Sequence, residues 1–294
     1  MNKKIKTILA AGLLTLGMAA QACTLAAWDD SDAGAKAGGP KEAVAVDRIN
    51  RYSGVCALNA TAGTVTNDGT EGNGGPTTET NMIVRFYFRA VGATGSATIF
   101  QTFKEDSKTT PIYTVTYDGA NVLVTSNDGG TNATAQVLNP NTASTSHWHS
   151  VEIEWNQNGA IKLWADKDAN PAQLPDGNGG FVVVAPDANN GAGTSGNATS
   201  VIESVVLGGT SSFDEIYFDE YESRRSTPIG RVVKGDASGD VARSLDDAIL
   251  IINESLSPQF TIAVGNTDTD EDGVITFDDA VLSLNLYLTN QLTF

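Results

Sequence analysis

Two short stretches near the C-terminus carry side chains whose type and spacing could do chemistry. Residues 268–279 read Asp-Thr-Asp-Glu-Asp-Gly-Val-Ile-Thr-Phe-Asp-Asp. A hard divalent cation such as calcium takes about six to eight oxygens, and a twelve-residue loop supplies them from positions 1, 3, 5, 7, 9 and 12. Asp268, Asp270 and Asp272 offer carboxylates, Val274 its backbone carbonyl, Thr276 a contact through water, and Asp279 the closing carboxylate. Gly273 falls at position 6, where the chain must turn sharply and glycine tolerates the backbone that requires. Ile275 is expected to point inward and tie this loop to a partner loop. A solvated Asp-rich turn would account for the charge, but not for the glycine or the aliphatic residue after it.

The partner loop lies 32 residues upstream, with Asp236, Ser238, Asp240, Ala242, Ser244 and Asp247 at the same six positions. It departs from the pattern where Val241 stands in place of the turn glycine, Arg243 in place of the aliphatic residue, and Ser238 in place of an acid. It is therefore expected to hold calcium more weakly than its partner, or to persist for packing alone. The repeat extends beyond the loops. Asp246-Asp247-Ala248-Ile249-Leu250 matches Asp278-Asp279-Ala280-Val281-Leu282, and Asn253 and Leu256 match Asn285 and Leu288. So close a match marks a duplicated unit, an acidic loop followed each time by a helix with its apolar positions on one face.

This pair of EF-hand-like loops, with no helix entering the first and Asp rather than Glu at position 12, resembles a type I dockerin. The resemblance implies Ca2+ as cofactor and a cohesin-like protein as partner, contacted through helix faces and loop positions 10 and 11. Those positions hold Leu245-Asp246 and Phe277-Asp278, which depart from the small hydroxyl residues common in the family. The alternative partner is the chain's own larger domain.

Other constellations are weaker. Retaining glycosidases place two carboxylates about 5–5.5 Å apart, often from alternate residues of one strand. Glu152 with Glu154, and Glu215 with Asp219, have that spacing, but a solvated strand face explains both pairs. His147 and His149 are the only histidines and lack a third nitrogen or thiolate partner for zinc. Trp155 and Trp164 could serve as platforms for a sugar, although a tryptophan in a sheet is more often buried.

The elements that must position these residues read as strands. In Met82-Ile83-Val84-Arg85-Phe86-Tyr87-Phe88-Arg89, Met82, Val84, Phe86 and Phe88 point one way and the arginines the other, which predicts a strand with one wet face. Similar runs occur at 97–103, 113–117, 122–125, 148–155, 160–165, 181–185, 204–207 and 213–221, separated by Gly/Asn/Thr/Asp-rich loops at 66–80, 126–146 and 186–200. Many short strands with almost no helical periodicity predict a mainly β fold, an antiparallel sandwich, with a small helical C-terminal module. His147 to Trp155 and Gly159 to Asp166 resemble the central strands of laminin-G-like or concanavalin-like jelly rolls, and Ser212 to Phe218 their closing strand. That resemblance implies a sandwich over about residues 45–225; its motifs mostly encode sheet packing and support fold more than function.

Lys3, Lys4 and Lys6 precede about 13 mostly apolar residues and the triplet Ala20-Gln21-Ala22, as in a cleaved export signal at 1–22. Cys23 next to the cut allows a lipoprotein; paired with Cys56, the other cysteine, it allows a disulfide. The expected site is extracellular or periplasmic, and no further stretch of roughly 18 apolar residues suggests a membrane span. The net charge of −17 becomes −20 without the three signal lysines. Such a surface repels phosphate and anionic lipid, which excludes nucleic acid as a partner. The chain thus divides into a signal at 1–22, a sandwich at 23–225, a linker at 226–230 and a calcium module at 231–294. The reading is an exported, non-catalytic protein holding a glycan or protein ligand; the alternative is a divergent polysaccharide hydrolase or lyase on the same fold.

Overall fold

Period-two alternation puts every second side chain on one face, so each such run can bury that face only against a second sheet. The computed structural model describes residues 28, 30–31, 45–47, 51–54, 57–61, 63–68, 75–92, 95–105, 107–128, 132–138, 140–142, 145–157, 161–166, 188–189, 200–209, 213–257 and 263–292. The expected signal, Cys23, Cys56 and the expected strand at 181–185 lie outside these residues.

In chain order the strands are β1 (Asp30–Ser31), β2 (Ala45–Asp47), β3 (Ala57–Asn59), β4 (Thr64–Asn67), β5 (Asn81–Val91), β6 (Ala97–Phe103) and β7 (Pro111–Tyr117). They continue as β8 (Asn121–Ser126), β9 (Ala133–Gln136), β10 (Trp148–Asn156), β11 (Ile161–Ala165), β12 (Ala188–Asn189), β13 (Ser204–Gly208) and β14 (Glu215–Arg224). Two helices follow, α1 (Leu245–Leu256) and α2 (Phe277–Leu292). One sheet runs β1-β4-β13-β6-β7-β8-β9 and the other β12-β11-β10-β5-β14-β3-β2. Every pairing is antiparallel. The protein is an antiparallel β-sandwich with two short C-terminal helices.

The space between the sheets is filled by Met82, Val84, Phe86 and Phe88 of β5, Val151, Ile153 and Trp155 of β10, and Phe100, Tyr113, Val115 and Val122 opposite them. Phe86 and Phe100 meet across the sandwich with ring centroids 5.5 Å apart. Each such side chain contributes about 1.5–3 kcal/mol by leaving water. His149 closes one end of this interior. Its Nδ1 lies 3.0 Å from the Asp166 carboxylate and its Nε2 3.1 Å from the Asn141 side-chain oxygen. Burial opposes ionisation of Asp166, but the His149 ring, the Leu138 amide and Arg231 outweigh it and hold the acid below its usual range.

The second face of β5 is not wet. Ile83, Arg85 and Tyr87 on that face are buried, because residues 229–232 and the C-terminal module lie over it. The Arg85 Nη1 donates to the Gly230 carbonyl at 2.9 Å, and the Val232 amide donates to the Tyr87 hydroxyl at 2.9 Å. Glu152, buried on the same face, accepts from the amides of Ile229 at 2.9 Å and Gly230 at 2.7 Å. Those two residues of the expected linker are therefore pinned to the sheet.

Strands β1, β2, β3, β4, β9 and β12 were not expected, and β9 and β12 fall in stretches read as loops. Glu152→Ala should cost about 1–3 kcal/mol in urea denaturation, because two buried amides lose their acceptor. An unchanged midpoint would show that water reaches those amides.

Candidate metal centre

The second acidic loop begins at Asp268 and runs into the first turn of α2, where exposed amides and the helix dipole favour negative charge. The Asp279 carboxylate there accepts from the amides of Thr269 at 2.7 Å, Asp270 at 3.1 Å and Thr276 at 2.8 Å. Gly273, with φ +85, donates its amide to Asp268 Oδ2 at 2.8 Å, so the turn folds back on the first acid of the loop. Asp272 Oδ1 accepts from the Val274 amide at 2.8 Å. Ile275 packs onto a small apolar group with Ala237, Ile251, Ala263 and Ala280, as its place in the loop suggested.

Within this loop, one carboxylate oxygen from each of Asp268, Asp270 and Asp279 lies within 4.8 Å of the others. Oxygens on opposite sides of one calcium ion stand about 4.6–5.2 Å apart, given bonds of about 2.3–2.6 Å, so this spacing fits. Asp268 is fully buried and its Oδ1 has no hydrogen-bond partner. A buried oxygen of that kind is costly unless something positive faces it. Burial, followed by the charges of Asp279, Asp272 and Asp270, pushes the Asp268 pKa well up. Burial likewise raises Asp270, with Asp279 and Asp272 adding to it, and burial raises Asp279. The donor set is all oxygen and suits a hard cation; Asp272, Val274 and Thr276 complete the loop positions named from the sequence.

The first loop is arranged differently. Asp236 Oδ1 accepts from the Gly239 amide at 2.8 Å, and Oδ2 from the Val241 amide at 2.7 Å. Asp240 caps the Ala242 amide at 2.9 Å. Ser244 and Asp247 form a capping box at the start of α1, and Asp247 Oδ1 also accepts from the Ser238 amide at 2.8 Å. Among the described residues no three-carboxylate cluster forms here. Val241 holds φ +68, a left-handed backbone that a β-branched residue adopts only under strain.

Sequence reasoning missed Glu271, since no metal pattern marks loop position 4. Its carboxylate takes Arg231, Lys234 and the Tyr52 hydroxyl, and its backbone carbonyl accepts from the Trp148 amide at 2.9 Å.

The carboxylate pairs weighed for catalysis have other partners. Glu154 meets Lys162 at 2.7 Å and Glu215 accepts from the Tyr217 hydroxyl at 2.6 Å. Asp219 accepts from the amides of Tyr52 at 2.9 Å and Ser53 at 3.0 Å, while burial and Glu220 push its pKa up. His147 donates its amide to Asn141 Oδ1 at 2.7 Å, and His149 points into the interior. Trp155 lies in the core and Trp164 is 5% exposed, so neither presents a sugar platform.

No protein-family model matches the chain, and no curated protein does. Solved structures that it resembles include an endo-beta-1,4-glucuronan lyase from the fungus Trichoderma reesei, at 16% identity and TM-score 0.44, covering 69% of this chain and 93% of that one. A family 7 alginate lyase in complex with substrate matches at 9% identity and TM-score 0.39, covering 65% and 84%. The receptor binding domain of botulinum neurotoxin type G matches at 10% identity and TM-score 0.36, covering 64% of this chain and 42% of that one.

Two outcomes follow from the loops. In metal-free protein, the raised carboxylates hold protons in the folded state that the unfolded chain has already released. Stability should therefore fall as pH rises from the ordinary carboxylate range through the raised values. Saturating calcium should reverse that slope, because the ion needs the ionised acids; melting at about pH 5 and about pH 8, with and without calcium, checks the sign. Asp268→Asn should weaken calcium binding by roughly 100-fold, and Asp236→Asn far less. Equal losses in titration calorimetry would place the principal site in the wrong loop.

Proposed function

We propose that this is an exported, non-catalytic calcium-binding protein, whose sandwich holds a glycan or protein ligand and whose C-terminal module docks a partner. The observation that carries the calcium reading is the buried, unpartnered Asp268 Oδ1, aimed among carboxylates within 4.8 Å of one another. Metal binding is folding energy for so small a unit. Support for the non-catalytic reading is that Glu152, Glu154, Glu215 and Asp219 are all engaged by amides, a lysine or a phenol. Trp155 and Trp164 being withdrawn, glycan retention falls to the outer face of the first sheet. There Thr114 Oγ1 accepts from the side-chain amides of both Gln101 and Asn127.

Partner docking has its own observation. Leu245, Ile249 and Leu256 of α1 are exposed, and so are Phe277, Val281 and Leu288 of α2. These are the same positions of the repeat, 32 residues apart. At spacings of 4 and 7 they form an apolar stripe on each helix, which a cohesin-like surface or another protein would cover.

A glycan panel probed with the full chain in calcium should give retention without new reducing ends or unsaturated products. Sustained turnover abolished by Glu215→Gln would replace this reading with the hydrolase or lyase alternative. Calorimetry of the full chain should show calcium binding that Asp268→Asn removes; absence of binding heat in the parent would end the calcium reading.

A further inference from the structure

The C-terminal module has little interior of its own. Its buried apolar group is Ala237, Ile251, Ala263 and Ala280, edged by Leu250, Ile252 and Ile275. A core of that size cannot fix about 60 residues unaided, so the contacts that hold it must lie elsewhere. They lie on the outer face of the second sheet and on residues 51–54, which run between that sheet and the module.

Those contacts converge on the second loop. Glu271 receives the Tyr52 hydroxyl, its carbonyl receives the Trp148 amide at the start of β10, and within the module its carboxylate takes Arg231 and Lys234. The Asn266 side-chain amide donates to the Tyr52 carbonyl at 2.9 Å and to the carbonyl of Asp268 itself at 3.0 Å. At Gly273 any side chain would strike the Arg89 guanidinium of β5. One strand of support comes from outside the loop, the buried ion pair of Arg51 with Glu254 of α1.

The loop thus has two faces. Asp268, Asp270 and Asp279 turn inward to the cation site, while Glu271 and Gly273, lying between Asp270 and Asp279 in sequence, turn outward to the sandwich. Glu271 also holds φ +65, a backbone that a non-glycine residue keeps only when its neighbours fix it. A loop whose acids repel one another loses the geometry that presents both residues.

Resting on the calcium reading of this loop, we propose that its cation is the latch for intramolecular docking. Calcium fixes the loop so that Glu271 and Gly273 seat on the sandwich, and its removal releases the module from the outer face of the second sheet. Release uncovers the stacked rings of Tyr52 and Tyr87, 3.9 Å apart, together with Trp148 and Arg89. An ion that binds only the docked form suppresses opening by the factor 1 + [Ca2+]/Kd, about 100-fold when calcium is held at roughly 100 times Kd.

Trypsin cleavage of the full chain after Arg231 and Lys234, followed by mass spectrometry, reads the opening directly. Chelator should accelerate it about 100-fold over that calcium concentration. Glu271→Gln, which leaves every proposed ligand in place, should keep the calcium-binding heat yet raise cleavage in saturating calcium. Calcium heat in the parent with equal cleavage in calcium and chelator would overturn the latch and leave the calcium site standing. No calcium heat in the parent would overturn both.

Discussion

Three carboxylates gather in the second loop, two of them cut off from water, and the protein's own donors answer them only in part. Bringing like charges together in a buried place is unfavourable unless donors and a cation answer them. The chain supplies part of the answer. Amides of Thr269, Asp270 and Thr276 face Asp279, and the Gly273 amide faces one oxygen of Asp268. The remaining Asp268 oxygen has nothing from the protein. In the first loop both oxygens of Asp236 are satisfied by the loop's own amides. Two copies of one sequence pattern have thus settled into a loop whose first acid is answered by its own amides and a loop whose first acid is answered at one oxygen only.

The second loop also meets the sandwich, and this decides the character of the second sheet. An antiparallel sheet commonly leaves one face to solvent. Here Arg85, Tyr87, Trp148 and Glu152 on the outer face are buried; residues 229–232 meet the Arg85 guanidinium, the Tyr87 hydroxyl and the Glu152 carboxylate, and Glu271 meets the Trp148 amide. In a chain of net charge −17, arginines 51, 85 and 231 lie within this seam and meet carboxylates or carbonyls of the module and its approach. Such pairs are worth more buried than exposed only where their remaining donors and acceptors are also met.

Long strands with clean alternation were legible. Strands β5, β6, β10 and β11 fall where period two put them, because their inner faces carry large apolar side chains at every second place. Strand β9 was not legible: Ala-Thr-Ala-Gln has too little bulk to mark a face, and its pairing with β8 creates the strand. The wet face assigned to β5 was an error of the same origin. Alternation reports polarity, and Arg85 is polar, but whether a polar face meets water or another part of the chain is a tertiary fact. In the second loop, Asp268, Asp270 and Asp279, singled out by their spacing, are gathered within 4.8 Å of one another. Glu271 was silent because its role is set by Arg231, Lys234 and Tyr52, which approach it from remote parts of the fold.

A duplicated unit offers two ways of docking, since either loop could in principle face the sandwich. The differences between the copies select one. Gly239 occupies in the first loop the place that Glu271 occupies in the second. Turned round, the module would bring Gly239 to the Tyr52 hydroxyl in place of the Glu271 carboxylate. Val241 stands where the second loop has Gly273, and a side chain there would displace the Arg89 guanidinium. Of these two differences only Val241 is also a departure from the metal pattern; Gly239 lies at a position that the pattern leaves open. The exposed apolar residues of the two helices, by contrast, kept the repeat and take no part in that choice.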